Sequence, residues 1–302
     1  MLTFKKFGAI DIGSNAVRLM VADIIERKNK PTIFRKTSLV RVPIRLGADV
    51  FLNNRISEFN ETRLKDTMTA FRLLMKSHKV SQYKACATSA MRESENGAAL
   101  VSEISNTCGI DIDIIGGEEE ATIIAATDLH TYLKDDRTYL YVDVGGGSTE
   151  FSVIHNAKTM VSRSFKIGTV RLLNDIVAKS TWQDLEAWIK TETADYDQIE
   201  LVGSGGNINT IFKRSGKPMG KPLTYFYLSS YYEKLQSYSY EERITELDMN
   251  QDRADVIIPA TRIYLSAMKW SGAKDIVVPK IGLSDGIIKS MYFNTITSYP
   301  LA

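Results

Sequence analysis

Little in this 302-residue chain provides for metal cages, disulfides or membrane passage. Its 2 cysteines, Cys86 and Cys108, have no CxxC spacing, so they read as reduced thiols of a cytoplasmic protein. Its 3 histidines, His78, His130 and His155, are scattered and make no ligand spacing. No apolar run approaches the roughly 18 residues that a membrane helix needs. Lys5 and Lys6 are followed at once by Asp11 and Gly13, which leaves no room for the apolar core of a signal peptide. Neither sign of charge dominates: the net charge is +2, so no basic arm for DNA is expected, and no membrane partner. Low-complexity linkers are absent too. What remains is 44% hydrophobic and 25% charged residues, enough for two domains with their own cores.

One stretch occurs twice. Ala9-Ile10-Asp11-Ile12-Gly13-Ser14-Asn15-Ala16-Val17-Arg18-Leu19 is answered by Tyr141-Val142-Asp143-Val144-Gly145-Gly146-Gly147-Ser148-Thr149-Glu150-Phe151. At one constant offset Asp11 falls on Asp143, Gly13 on Gly145 and Arg18 on Glu150. Each copy is an apolar run, an acid, a glycine-bearing turn and a second alternating run, which is the pattern of a β-hairpin. Glycines at such a turn let backbone N–H groups converge on an anion. A carboxylate beside them can hold a hydrated divalent cation. Two facing hairpins of this kind would clamp a phosphate chain and its metal between two domains.

The rest of the chain follows the same duplication. Residues 7–12, 16–24 and 32–41 read as an antiparallel meander. A helix over 58–79, a strand over 84–88, a helix to Thr107, a strand over 110–115 and a helix over 118–133 complete one α/β unit. Asp135-Asp136 marks the boundary. Strands near 138–144, 149–155 and 158–165 open the second unit. Helices follow near 168 and over 183–193, then a strand over 198–203. Helices over 229–247, 252–272 and 284–293 close the chain, with a strand over 275–278. The expected domains are 1–133, joined by the C-terminal helix 284–302, and 134–283.

Asp11 and Asp143 are candidates for a metal, or each caps its own turn. Ser14, Asn15, Gly145, Gly146, Gly147, Ser148 and Thr149 are candidates to cradle phosphate. Arg18 either meets the ligand or pairs with a neighbouring acid. Glu150, in the matching place, cannot attract phosphate, so it helps with metal and water or is structural. Glu118-Glu119-Glu120 either answers a helix dipole or supplies a general base that orients water. Thr88-Ser89-Ala90-Met91-Arg92 offers a guanidinium to a phosphate, or a helix cap and a surface Arg. Gly203-Ser204-Gly205-Gly206 is a second glycine-rich turn, and Lys213–Lys221 the densest basic run; the bland reading of that run is a solvated loop.

Taken in order, Asp11–Asn15, Thr88–Arg92, Gly117–Ala121 and Asp143–Glu150 resemble the exopolyphosphatase/guanosine pentaphosphate phosphatase family. Ile167–Leu172, Gly203–Gly206, Arg253–Ile257 and Gly282–Gly286 extend the resemblance over nearly the whole chain. It implies a duplicated α/β fold of the actin-like ATPase (ribonuclease H-like) kind, two domains with a cleft between them. It also implies Mg2+-dependent hydrolysis of the terminal phosphate of inorganic polyphosphate, or of the 5′-γ-phosphate of guanosine pentaphosphate. By the same resemblance Glu120 is the general base, with Glu119 its neighbour, and Asp143 belongs to the metal and water site. Ser14, Asn15, Gly145, Gly146, Gly147 and Ser148 become phosphate contacts. Many members have Ser where this chain has Ala16. Longer members add a C-terminal helical region, so a chain of this length corresponds to the two-domain form, for which short polyphosphates or the nucleotide gain weight. A homodimer is expected from family habit and the tyrosine-rich helices. The alternatives are an ATP-dependent kinase of the same superfold, or a non-catalytic polyphosphate or alarmone sensor.

Overall fold

The computed structural model describes residues 2–127, 133 and 137–301. Among the described residues, twelve strands run in chain order: β1 (Leu2–Ile12), β2 (Val17–Arg27), β3 (Lys30–Val42), β4 (Gln82–Ala87), β5 (Asp113–Ile114), β6 (Thr138–Val144), β7 (Thr149–His155), β8 (Lys158–Phe165), β9 (Ile199–Ser204), β10 (Leu223–Thr224), β11 (Asp275–Val277) and β12 (Tyr299–Pro300). The chain divides into two compact units, Met1–Ala126 with Leu283–Ala302, and Thr127–Gly282. The expected boundary at Asp135-Asp136 lies outside the described residues, as do residues 128–132 of the helix expected to reach Leu133.

Both units build the same mixed sheet. In the first the order is β12-β4-β1-β2-β3, with β5 also on β4; in the second it is β10-β11-β9-β6-β7-β8. Each has an antiparallel three-strand meander, and its first strand pairs in parallel with the next strand reached through helices. This repeated order is the duplicated actin-like fold. Alternation along the strands explains why the sheets bury well. In β1, Ile10 and Ile12 enter a core with Leu64, Met68, Phe71 and Met75 of the helix Glu58–Ser77, and with Leu100 and Ile104 of the helix Gly97–Cys108. In β6 and β7, Leu140, Val142, Phe151 and Val153 meet Leu185, Ile189 and Tyr264 from flanking helices. Each such side chain stabilises its unit by roughly 1.5–3 kcal/mol on burial. Asp11 and Asp143 sit at the odd steps of those alternations, so the opposite sheet face receives them.

Several helices depart from expectation. The helix expected to run to Thr107 is two, Ser89–Glu93 and Gly97–Cys108, parted at Ser94-Glu95-Asn96. The helix expected over 229–247 is Tyr225–Ser237 and Tyr240–Thr245, because Ser239 and Glu242 form a capping box that starts a new helix. The long helix expected from 252 is Gln251–Ala254 followed by Ile257–Ser271. An unexpected helix, Leu46–Asn53, follows β3. Among the described residues, no helix is long and apolar enough to cross a membrane.

Candidate active site

In the first unit the turn Gly13–Ala16 joins β1 to β2, closed by the Gly13 N–H donating to the Ala16 carbonyl at 3.2 Å. The register sets Asp11 opposite Arg18, whose Nη1 donates to Asp11 Oδ2 at 2.7 Å. Asp11 is buried, while the Arg18 side chain keeps 29% of its exposure. Flanking strands extend this cross-strand row: Cys86 of β4 lies beyond Asp11, and Arg41 of β3 beyond Arg18. Directly paired residues share a sheet face. The row therefore reads Cys86, Asp11, Arg18, Arg41: one acid and two guanidinium groups. Burial pushes the Cys86 thiol up to about 12; the Lys84 ammonium opposes this and nearby carboxylates, including Asp11 and Glu119, add to it.

Hydrogen bonds hold the loop itself. The Ser14 hydroxyl is buried against that of Ser89 at 2.9 Å. The Ser14 carbonyl accepts from Gly47 N–H at 2.8 Å, and the Asn15 carbonyl from Arg45 N–H at 3.1 Å. Arg92 donates through Nη1 to the Ile115 carbonyl at 2.6 Å, just before the helix Gly117–Ala125. The first turn of that helix carries Glu118, Glu119 and Glu120, acids suited to a helix N-terminus. Glu118 and Glu119 are exposed; Glu120 is half-buried.

In the second unit the turn Gly145–Ser148 closes in the same way, Gly145 N–H to Ser148 carbonyl at 3.0 Å. Its carbonyls are then drawn to one side. Those of Gly145 and Gly146 accept from the Thr169 and Val170 N–H groups at 3.0 and 2.9 Å, and that of Gly147 from Arg171 Nε at 2.7 Å. Gly168 makes this possible, since a Cβ there would overlap the Gly146 carbonyl. In a trans peptide the N–H points opposite to the C=O. The N–H groups of Gly146, Gly147 and Ser148 are thus turned away together, the arrangement of an anion-binding nest.

The row beside this loop differs from that of the first unit. Asp143 stands opposite Glu150, with Ser204 of β9 beyond Asp143 and Ser164 of β8 beyond Glu150. It reads Ser204, Asp143, Glu150, Ser164: two acids and no base. Glu150 is only 3% exposed. Its Oε1 accepts from the Ser148 hydroxyl at 2.7 Å and from that of Ser164 at 2.8 Å. Thr149 is fully buried, and its hydroxyl donates to the Ile167 carbonyl at 2.5 Å. After β9, Gly205 takes φ 104°, where an added Cβ would stand 3.3 Å from Asp143 Oδ1. Tyr264 donates to the Ser204 carbonyl and so holds this turn. Burial drives the Tyr141 and Tyr264 hydroxyls well above the ordinary phenol range, the Asp143 charge adding to it.

Sequence reasoning gave Arg253 no role of its own. Its guanidinium covers the start of the helix Gly206–Arg214: a Cβ on Gly206 would come within 2.6 Å of it, and Nη1 donates to Asn207 Oδ1 at 2.6 Å. A cation at the positive end of a helix dipole suits a place that receives an anion. No spacing rule could have found a contact formed across 46 residues.

Among the described residues, no three His, Cys, Asp or Glu side chains gather into a metal cage. Asp143 and Glu150, paired across β6 and β7, put two acidic residues on one sheet face, the donor chemistry that a hard divalent cation takes. Mg2+ commonly binds one or two carboxylates, keeps several waters and takes the rest of its oxygens from phosphate. Asp11, with Oδ2 held by Arg18, lacks a second acid in its row.

The Ppx/GppA phosphatase family model matches residues 21–294. Exopolyphosphatase 1 of Mycobacterium tuberculosis is 26% identical over 195 residues, covering 63% of this chain and 56% of that protein. A guanosine-5'-triphosphate,3'-diphosphate pyrophosphatase of Photobacterium profundum is 28% identical over 167 residues, covering 55% of this chain and 32% of that protein. The chain thus spans between about a third and just over half of the length of the curated relatives it matches. The crystal structure of an exopolyphosphatase from Cytophaga hutchinsonii superposes with a TM-score of 0.80 at 22% identity, covering 96% of this chain and 98% of that one, which supports the fold. On the extent of the family match, the chain belongs to the Ppx/GppA phosphatase family.

Proposed function

We propose that this protein is a phosphoanhydride hydrolase that releases the terminal phosphate of inorganic polyphosphate or the 5′-γ-phosphate of guanosine pentaphosphate. The observation that carries the reading is the second-unit loop. Its three committed carbonyls turn the amides of Gly146, Gly147 and Ser148 outward beside a carboxylate pair. Exopolyphosphatase and guanosine pentaphosphate hydrolysis, named for the relatives, are the two activities that this chemistry suits.

In this reading the amides of the Gly145–Ser148 turn and the Arg253 guanidinium take the oxygens of the terminal phosphate; Ser14, Asn15, Arg18 and Arg92 are the first unit's own candidates for an anion. Asp143 and Glu150 would hold Mg2+, which would neutralise charge on the phosphate oxygens. Glu120 accepts a proton from the water that attacks phosphorus, and the bridging P–O bond breaks to release the shortened chain. The leaving group is already good, so placement and charge do most of the work. The working form is a homodimer in the cytoplasm, a point for sedimentation analysis and fractionation.

The test is phosphate release from short polyphosphate, long polyphosphate and guanosine pentaphosphate, side by side, for the parent and Glu120→Gln. The reading expects release from at least one substrate, and its loss by about 10³-fold in the variant with binding retained. Phosphorylation of an added acceptor from ATP, or tight binding with no release, would overturn it.

A further inference from the structure

We propose that Ser164 is a positioning residue: its hydroxyl fixes the Glu150 carboxylate in the orientation that receives the divalent cation. The inference rests on the cation assignment above and adds a residue to it.

The geometry begins with the sheet register. Counted straight back from the β7–β8 turn, where His155 pairs with Lys158, Glu150 would face Arg163. The bulge between Val153 and Ile154 inserts one residue on β8 and brings Ser164 opposite Glu150 instead. An arginine in that place would neutralise the acid, as Arg18 does for Asp11 in the first unit. A serine brings no charge of its own and donates one hydrogen bond to Glu150.

Glu150 Oε1 then accepts two hydroxyls, from Ser148 at 2.7 Å and Ser164 at 2.8 Å, approaching from neighbouring positions in the turn and on β8. Two donors on one oxygen set the rotation of a carboxylate about its last bond. Without such donors that terminal torsion is broad. Partners that orient a ligand in this way matter to metal affinity, where their removal typically costs about 10–100-fold. Ser148 lies in the phosphate turn, so its hydroxyl is close to the ligand as well. Ser164 is outside the turn and is exposed, so replacing it opens no cavity.

A neighbouring pair supplies the control. The Ser152 hydroxyl meets that of Ser162 at 2.7 Å on the same two strands and the same face, one pair removed from Glu150. If Ser164 only ties β7 to β8, losing either pair should have the same effect.

The experiment titrates Mn2+ into the substrate-free protein, read by electron paramagnetic resonance. It compares the parent, Ser164→Ala, Ser164→Thr, Ser152→Ala and Glu150→Gln, each checked by thermal melting. The proposal expects Ser164→Ala to raise the half-saturating Mn2+ concentration by about tenfold, at the low end for such partners because Ser148 still donates. Ser164→Thr, which keeps the hydroxyl, restores the parent value, and Ser152→Ala leaves it unchanged. Should Ser164→Ala melt early, Ser164→Cys, with a weak donor of similar size, must move the midpoint in the same direction. Parent-like Mn2+ binding in both Ser164→Ala and Ser164→Cys overturns the proposal, as does an equal shift in Ser152→Ala. If Glu150→Gln also binds Mn2+ like the parent, the cation assignment itself has failed, and the inference with it; if only Glu150→Gln shifts, the inference alone is wrong.

Discussion

The two units share a sheet, a hairpin and the place of an aspartate, yet the rows beside their loops carry opposite charge. Cys86, Asp11, Arg18 and Arg41 hold one acid and two guanidinium groups; Ser204, Asp143, Glu150 and Ser164 hold two acids. Sheet geometry is indifferent to the exchange, because each position only has to point to the same face. The chemistry is not. A row with an internal ion pair presents guanidinium to an anion, whereas two neighbouring carboxylates repel unless a cation joins them. On the same hairpin the two rows keep the aspartate and differ at the other three positions: Cys86 against Ser204, Arg18 against Glu150 and Arg41 against Ser164.

That comparison is open to breakage. The largest effect is expected for Glu150→Gln, which leaves the second row with a single acid. Phosphate release measured at fixed Mg2+ should fall by about 10²–10³-fold, as for loss of a group that stabilises developing charge. Arg18→Ala comes next. It removes a cation from the first row and strands the buried Asp11 carboxylate, at a cost of about 1–3 kcal/mol in stability. In steady-state assays KM should rise by about tenfold while kcat changes less, and Asp11→Asn in the same chain should recover much of the lost melting temperature.

Gly168→Ala sharpens the comparison at the loop. Its Cβ would displace the Gly146 carbonyl and so rotate the amide of Gly147. Chemical denaturation should show a loss of about 1–3 kcal/mol from this overpacking, with activity lowered at temperatures where the protein remains folded. The smallest effect is alkaline. Cys86 ionises near 9 when unfolded and only at about 12 when buried in the first unit. The unfolded state therefore releases its proton first, and stability falls as pH rises from about 9 towards 12. Tyr141 and Tyr264 in the second unit, whose hydroxyls are also driven upward, steepen the fall above the ordinary phenol range. Melting temperatures from pH 8 to 11 should drop, and Cys86→Ala should flatten the first part of that decline.

Much of the fold was legible because hydrophobic alternation and the doubled hairpin survive in the sequence. The offset that set Asp11 on Asp143 also set Arg18 on Glu150, and within each hairpin the matched residues pair across the strands, Asp11 with Arg18 and Asp143 with Glu150. The outer members of the rows were not legible. Straight counting from the β2–β3 turn puts Leu39 opposite Arg18, but two irregularities shift the register and bring Arg41 there. The same kind of shift brings Ser164 to Glu150. Whether Arg18 meets a ligand or an acid was left open by the sequence, since that depends on a side-chain rotamer. The helix Leu46–Asn53 escaped because it starts from Arg45 at φ 65°, a left-handed conformation with no compositional mark. Local capping at Ser239 divided a continuous-looking helical pattern for a similar reason.

The most direct measurement compares Asp11→Asn with Asp143→Asn in Mn2+ binding to the substrate-free protein. The two substitutions are the same change at matched places in the two hairpins. If the second row holds the cation, Asp143→Asn loses Mn2+ binding by at least about tenfold and Asp11→Asn binds like the parent. Equal losses in both variants, or a loss confined to Asp11→Asn, would contradict the account.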